Sequence, residues 1–353
     1  MLYPIKFHPV YKDYIWGGRN LENLGKKLPE GIVAESWEIS CHPDGMSHAA
    51  NGIYEGQTLQ ELMDKLGPQL LGKELYHGST TKFPLLVKLI DANDRLSVQV
   101  HPDDIYANAH ENGELGKTEM WYIISAQPGA KLIYDVHPGI TRKDFEIAIQ
   151  NNTIENCLKS IEVFPGDVIN IPAGLVHAIG KGIVLAEIQQ NSNTTYRVYD
   201  YDRTDSKGNK RPLHIQKALD VIDFNSGSRT EKAKGLAIKL GTGSSKIISI
   251  ANAYFCVELY DINGTVEETA TGEKFFIYVF TGGSGIIRYK DGEVSVSAGE
   301  SILIPASMSS YSISGNLKAL KAYVPDIERD VFTQLMAAGY WREIINSSIS
   351  GLC

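Results

Sequence analysis

Three segments carry residue types that could hold a metal ion. In LSVQVH (96–101) polar and apolar residues alternate. Strand side chains point to opposite faces in turn, so Ser97, Gln99 and His101 share one face. Gln99 and His101 can therefore both reach one ion. Glu119 follows after a loop and opens the strand-like run EMWYIISA. His177 comes after Pro172-Ala173-Gly174, a bend that lets it re-enter a strand with its imidazole pointing inward. Two imidazoles, one carboxylate and one amide oxygen make a borderline nitrogen and oxygen donor set. Zinc suits it, and manganese, cobalt or ferrous iron are compatible. With one position left open, such an ion polarises a carbonyl or activates a water. A lone strand histidine or glutamine is ordinarily a hydrogen-bonding residue, and Glu119 alone could simply start a strand at the surface. The joint pattern is what singles them out.

These residues need β-structure to position them. FPLLVKLIDANDRLSVQVH (83–101) reads as two strands around Asp91-Ala92-Asn93-Asp94. Pro102-Asp103-Asp104 then starts a short helix or loop. EMWYIISA and AKLIYDV flank a Pro-Gly turn, and IEVFPGDVINIPAGLVHAIGKGIVLAEIQQ reads as short strands with Gly and Pro turns. Apolar spacing predicts helices over Thr58 to Gly72, over 142–160, over 212–223 and in RDVFTQLMAAGYW near the end. The polar stretch SGSRTEKAKG marks a boundary or exposed loop around 225–245. The chain is thus expected to have three parts: 1–235 with the metal residues, 236–325 with further strands, and a helical tail over 326–353.

A length of 353 residues fits two domains. Apolar residues at 43% and charged residues at 22% are those of a globular protein, and 33 Gly with 18 Tyr suit a turn-rich β protein. A net charge of −8 argues against a nucleic-acid binder, which would carry a basic footprint. It still permits an anionic substrate in a locally basic pocket. No apolar stretch is long enough to cross a bilayer, and the first residues do not read as a signal peptide. The expectation is a soluble cytoplasmic protein, monomer or homodimer, with Cys41, Cys157, Cys256 and Cys353 as free thiols. Lys12, Lys88, Lys131 and Arg142 read as solvated surface charges.

FPGDVINIPAGLVHAI (164–179) echoes VSAGESILIPASMSSYSI (296–313). One unit occurs twice on this reading, and the second copy has Ser309 or Ser310 where the first has His177. Gly166, Pro172, Gly174 and His177 stand at the spacing of the second sequence motif of the cupin family. The resemblance implies a mainly β fold of two cupin (jelly-roll) β-barrels with a small number of added helices, the second barrel having lost its metal.

A closer resemblance rests on YIWGG, AESWEISCHPDG, RLSVQVHPDD, GKTEMWYII and IPAGLVHAIG. Together these are similar to type I mannose-6-phosphate isomerases, most of all the short bacterial form. The resemblance is strong over 1–205 and weaker beyond. It implies one zinc ion per chain on Gln99, His101, Glu119 and His177. It implies an essential arginine, Arg197, and phosphate-side residues at Ser97 and Lys117. A further basic residue, usually lysine, corresponds to Arg203. The implied reaction interconverts mannose 6-phosphate and fructose 6-phosphate through a cis-enediol. Longer members carry a histidine before the lysine, where this chain has Gly116. They carry a glutamate in the run before the last histidine, here Leu175-Val176, and an aspartate where this chain has Asn193. Each departure removes a group able to move a proton. The base is left open among metal-bound water, Glu38 and Asp200. Another metal cupin enzyme, or a non-catalytic sugar-phosphate binder on the same scaffold, are the competing functions.

Overall fold

The computed structural model describes residues 2–78, 81–204, 208–225 and 231–352. Its strands form three main antiparallel sheets stacked in layers. A five-stranded sheet runs in the order Leu158–Glu162, Lys131–Val136, His177–Ile179, Val98–Val100, Tyr196–Tyr199. A six-stranded sheet runs Val168–Ile171, Glu119–Ala126, Ile183–Gln190, Leu85–Ala92, Glu35–Ile39, Val10–Lys12. A nine-stranded sheet holds the strands from Leu236 to Tyr323, together with Ile5–His8 and His48–Ala49 from the start of the chain. No ring of strands closes into a barrel among the described residues. The architecture is mainly β, with a cupin domain and few helices.

The alternation of side chains explains the layering. In Leu85–Ala92, Ile90 and Ala92 face the five-stranded sheet and share a core with Trp121, Leu132, Ile179 and Leu185. Leu85, Val87 and Leu89 face the other way, into a core shared with Ile277, Val279, Leu303 and Leu320 of the nine-stranded sheet. The six-stranded sheet is therefore covered on both faces, and Leu85–Ala92 and Ile183–Gln190 are buried throughout. Such strands read as near-continuous apolar runs rather than alternating ones. The outer face of the five-stranded sheet is covered by the helices Arg142–Gln150 and Ile215–Val221 through Phe145, Ala148, Ala218 and Leu219.

The expected helices are present but shorter. The pattern over 58–72 forms Leu59–Leu66, capped by Thr58 and Glu61, then Pro68–Leu71 after a break at Gly67, which has φ +49°. The pattern over 142–160 yields to a strand at Leu158. The tail forms short helical segments from Glu328 to Ala337 and from Arg342 to Ser348. Cys41, Cys157 and Cys256 are free and buried, while Cys353 lies outside the described residues. So does part of the boundary stretch, residues 226–230. Among the described residues no helix is long and apolar enough to cross a membrane.

The sequence echo has a counterpart in strand register. Ile169 pairs with Trp121, and Glu187 pairs with both Trp121 and Lys88. In the second copy Ile302 pairs with Tyr278, and Lys321 pairs with both Tyr278 and Glu258. By the same register Phe276 stands where Glu119 stands, since they pair with Ile304 and Ile171. The second copy thus lacks the metal-type donors.

Phe83 and Phe275 stack at 4.9 Å, joining the start of Leu85–Ala92 in the six-stranded sheet to the start of Phe276–Tyr289 in the nine-stranded one. Both are almost wholly buried. Phe83→Ala should cost about 3–5 kcal/mol, read as a lower midpoint in denaturant unfolding. A loss below about 1 kcal/mol would show that this stack does not join the layers.

Candidate active site

Polar residues gather where the inner faces of the five- and six-stranded sheets meet at one end. Ser97, Gln99, His101, His177 and Arg197 come from the five-stranded sheet. Their neighbours Val98, Val100, Val176, Ala178, Tyr196 and Val198 pack outward under the helices, which turns these five inward. Lys88, Glu119 and Glu187 come from the six-stranded sheet, between outward-facing Val87, Leu89, Met120, Ala186 and Ile188. Register sets them side by side, with Gln99 paired to both His177 and Arg197.

His101, Glu119 and His177 bring their ligand atoms within 4.8 Å of one another, and all three are buried. His101 Nε2 lies 3.5 Å from Glu119 Oε2, and His177 Nε2 lies 3.4 Å from Oε1. His177 Nδ1 donates to the Leu175 carbonyl at 2.9 Å, so its Nε2 lone pair faces the cluster. The Gln99 side-chain nitrogen is 3.4 Å from that Nε2. Turning the amide over brings its oxygen to the same place.

Burial holds the His101 imidazole down to about 3, with the Lys117 charge acting the same way. Burial also lowers His177. Burial alone would raise Glu119, but Lys117 and His101 outweigh it and hold the carboxylate well below its usual range. Neutral imidazoles beside an ionised carboxylate are the states a divalent cation needs. The Glu119 oxygens accept no hydrogen bond. Instead the Lys117 ammonium sits 2.8 Å from Oε2 and 3.0 Å from His101 Nε2. A positive group thus already occupies the cluster, and the donors fit a cation. Among the described residues this is the one group of its kind.

The segment carrying Lys117 and Glu119 is held by a small network. Asp104 Oδ1 accepts from the Gly116 amide at 2.8 Å and from Gln190 Nε2 at 2.9 Å. Gln190 Oε1 in turn accepts from the Thr118 amide at 2.9 Å. Gly116 packs so closely that a Cβ there would lie 2.5 Å from backbone atoms of Asp103 and Asp104.

A cleft of about 290 Å³ opens beside the cluster, lined by Ser97, Gln99, Lys117 and Arg197 among others. Lys88, expected at the surface, is buried in its wall. Its ammonium lies 2.9 Å from Glu187 and 3.7 Å from Glu35. Burial acts against the charge on Lys88, but the two carboxylates more than offset it. Glu187 also accepts from Trp121 Nε1 at 2.9 Å. Burial, and then the charge of Glu119, pushes the Glu187 carboxyl up. Sequence reasoning missed this pair. The signal was a single lysine inside LLVKLI and a single glutamate inside IVLAEIQ, opposite charges in two runs buried on both faces.

Arg197 donates from Nε to Ser97 Oγ at 3.1 Å and from Nη1 to the Pro212 carbonyl at 3.0 Å. Arg203 is not among the residues that line the cleft. Its guanidinium holds Asp200 at 2.6 Å and the Arg95 carbonyl. Arg211 lines the cleft instead. Neither carboxylate considered as a base faces the cleft. Glu38 is paired to Lys26 at 2.7 Å, and Asp200 lies between Arg203 and Arg211.

Comparisons with known proteins identify the family. Residues 5–129 match the phosphomannose isomerase type I catalytic domain, and 245–324 match the mannose-6-phosphate isomerase cupin domain. Mannose-6-phosphate isomerase ManA of Bacillus subtilis is 38% identical, over 91% of this chain and 99% of its own. The Streptococcus mutans mannose-6-phosphate isomerase is 38% identical, over 92% and 99%. The crystal structure of the Bacillus subtilis mannose 6-phosphate isomerase superposes with a TM-score of 0.82 at 37% identity, covering 90% of this chain and 99% of that one. With its sheets, its buried His–Glu–His cluster and relatives matched nearly end to end, the chain belongs to the type I mannose-6-phosphate isomerase family.

Proposed function

We propose that the cleft interconverts mannose 6-phosphate and fructose 6-phosphate through a cis-enediol, with zinc held by Gln99, His101, Glu119 and His177. The observation that carries this reading is one cleft beside the cation-type cluster, lined by an ion-paired glutamate and an arginine. When bound, the ion would supply Lewis-acid stabilisation of the developing oxyanion. Two neutral imidazoles, a carboxylate and an amide favour zinc among divalent ions.

Moving a proton between C1 and C2 needs a base that can also return it. Two carboxylates outside the metal cluster line the cleft, Glu35 and Glu187, and Glu187 has the Lys88 ammonium 2.9 Å from one oxygen and accepts from Trp121 at the other. Those contacts fix its orientation, and burial, with the Glu119 charge, raises its carboxyl above the usual value, the direction a base needs. Arg197 stabilises the enediolate charge. It has no carboxylate partner among the described residues, so its charge is available to substrate. Ser97 and Lys117 contribute to holding the phosphate. A divalent ion on Glu119 would release the Lys117 ammonium for that task. The cleft volume of about 290 Å³ is at the small end of ligand pockets, which run about 300–1,000 Å³, and suits a hexose phosphate.

Buried free thiols fit a reducing compartment, and we place the enzyme in the cytoplasm. The matched register of the two units supports reading both as copies of one jelly-roll.

Chelation followed by a coupled assay with mannose 6-phosphate should show loss of turnover, restored by zinc. His177→Ala should lose bound metal by elemental analysis. Arg197→Ala should keep it while kcat falls about 100-fold. A metal-free protein with full activity would overturn the metal assignment.

Glu187→Gln should lower kcat by about 100-fold or more with metal content unchanged. It should also suppress deuterium uptake from solvent into the sugar. Retained kcat in this variant would remove Glu187 from proton transfer.

A further inference from the structure

The loop after the Arg197 strand builds a charged device that the family resemblance does not supply. Asp200 accepts from Arg211 on both oxygens, from Nε at 2.8 Å and from Nη2 at 2.5 Å. This bidentate fit fixes the plane of the guanidinium. It leaves Nη1 of Arg211 without a partner among the described residues, on a side chain that lines the cleft.

Asp200 is itself held from behind. Arg203 Nη2 donates to its Oδ1 at 2.6 Å, and Arg203 Nε to its carbonyl at 3.3 Å. The chain doubles back to permit this. Tyr201 and Asp202 are consecutive left-handed residues with φ of +55° and +54°. Conformations of this kind are unfavourable for residues with a side chain and persist where their surroundings enforce them. Here the Arg95 guanidinium lies 3.8 Å over the Tyr201 ring, and Arg203 reaches the Arg95 carbonyl.

The charge balance points to the occupant. Asp200 faces the guanidinia of Arg203 and Arg211, Arg203 also reaches Asp94 at 3.8 Å, and Arg197 has no carboxylate partner among the described residues. Three guanidinia thus stand against two carboxylates, and the two that line the cleft are Arg197 and Arg211. After burial, the Arg211 charge is the strongest influence lowering Arg197. A phosphate monoester carries about −1.5 to −2 charges at neutral pH, which matches such a pair.

We propose that Arg211, aimed by Asp200, is the guanidinium that recognises the phosphate dianion of the substrate, and that Arg203 is a positioning residue fixing Asp200. The identity of the substrate rests on the isomerase reading above. The anion-binding geometry does not. In this chain the role that the resemblance gives to the position of Arg203 passes to Arg211.

The test is calorimetric binding of glucitol 6-phosphate, a sugar-alcohol phosphate that cannot isomerise, with glucitol as the control, alongside isomerase assays. Arg211→Met should weaken glucitol 6-phosphate binding about 10- to 100-fold, the range for losing a charge-assisted hydrogen bond. KM should rise in parallel with kcat largely kept, and Arg211→Lys should restore part of the loss. Arg203→Met should weaken binding by a smaller factor than Arg211→Met, about 3- to 5-fold with kcat kept, as expected of a residue that acts through Asp200. Unchanged binding in Arg211→Met and Arg211→Lys would overturn the proposal, as would an equal loss in Arg203→Met. A wild-type protein that binds the phosphate through Arg211 yet does not isomerise would support it and remove the isomerase reading. A wild type that isomerises without any Arg211 dependence would do the reverse.

Discussion

An ionised carboxylate buried between two sheets is stable only beside positive charge, and Glu119 sets that condition for the whole site. Its oxygens have no hydrogen-bond donor, so a cation must face them, whether the Lys117 ammonium or a divalent ion. The same condition governs the next strands. Lys88 would be costly in a sheet covered on both faces, and it is stable because Glu187 and Glu35 flank it. The inner face therefore carries two ammonium groups, Lys117 and Lys88, each against buried carboxylates, with the like charges of Glu119 and Glu187 between them. Removing Lys117 or Lys88 would leave a buried carboxylate without its cation.

Much of this was legible in the sequence. Strict alternation in LSVQVH placed Ser97, Gln99 and His101 on one face, and Val98 and Val100 do pack the other way. The turn residues before His177 were equally readable. What alternation could not show was the wall of the cleft. Lys88 and Glu187 sit in runs whose two faces are both apolar, so no polar face marked them. Their pairing is a register between strands about a hundred positions apart in the chain, and a sequence holds no direct record of that. Arg203 illustrates a different gap. Its spacing from Arg197 matches the family, but it is taken up by Asp200, and Arg211 lines the cleft instead.

The second unit repeats the row with its charges exchanged. Lys88, Glu187 and Trp121 in the first copy correspond by register to Glu258, Lys321 and Tyr278 in the second. Lys321 pairs with Glu268 at 2.7 Å and lies 4.1 Å over the ring of Phe276. Where Glu119 needs a cation, the second copy has that ring and a lysine already paired. The scaffold thus holds a buried charged row in both units, with or without a cation-type cluster beside it.

Gly116 gives the short form a history as well as a geometry. Longer members carry a histidine at this position, as the resemblance implies, and here a Cβ would strike the backbone of Asp103 and Asp104 at 2.5 Å. A single codon change to histidine would leave the side chain no room until the start of helix Asp104–His110 moved away. Glycine at 116 and the seating of that helix are thus locked to one another. In this chain a side chain at 116 therefore demands a second change, in the seat of the helix that carries Asp104 and its hold on Gln190.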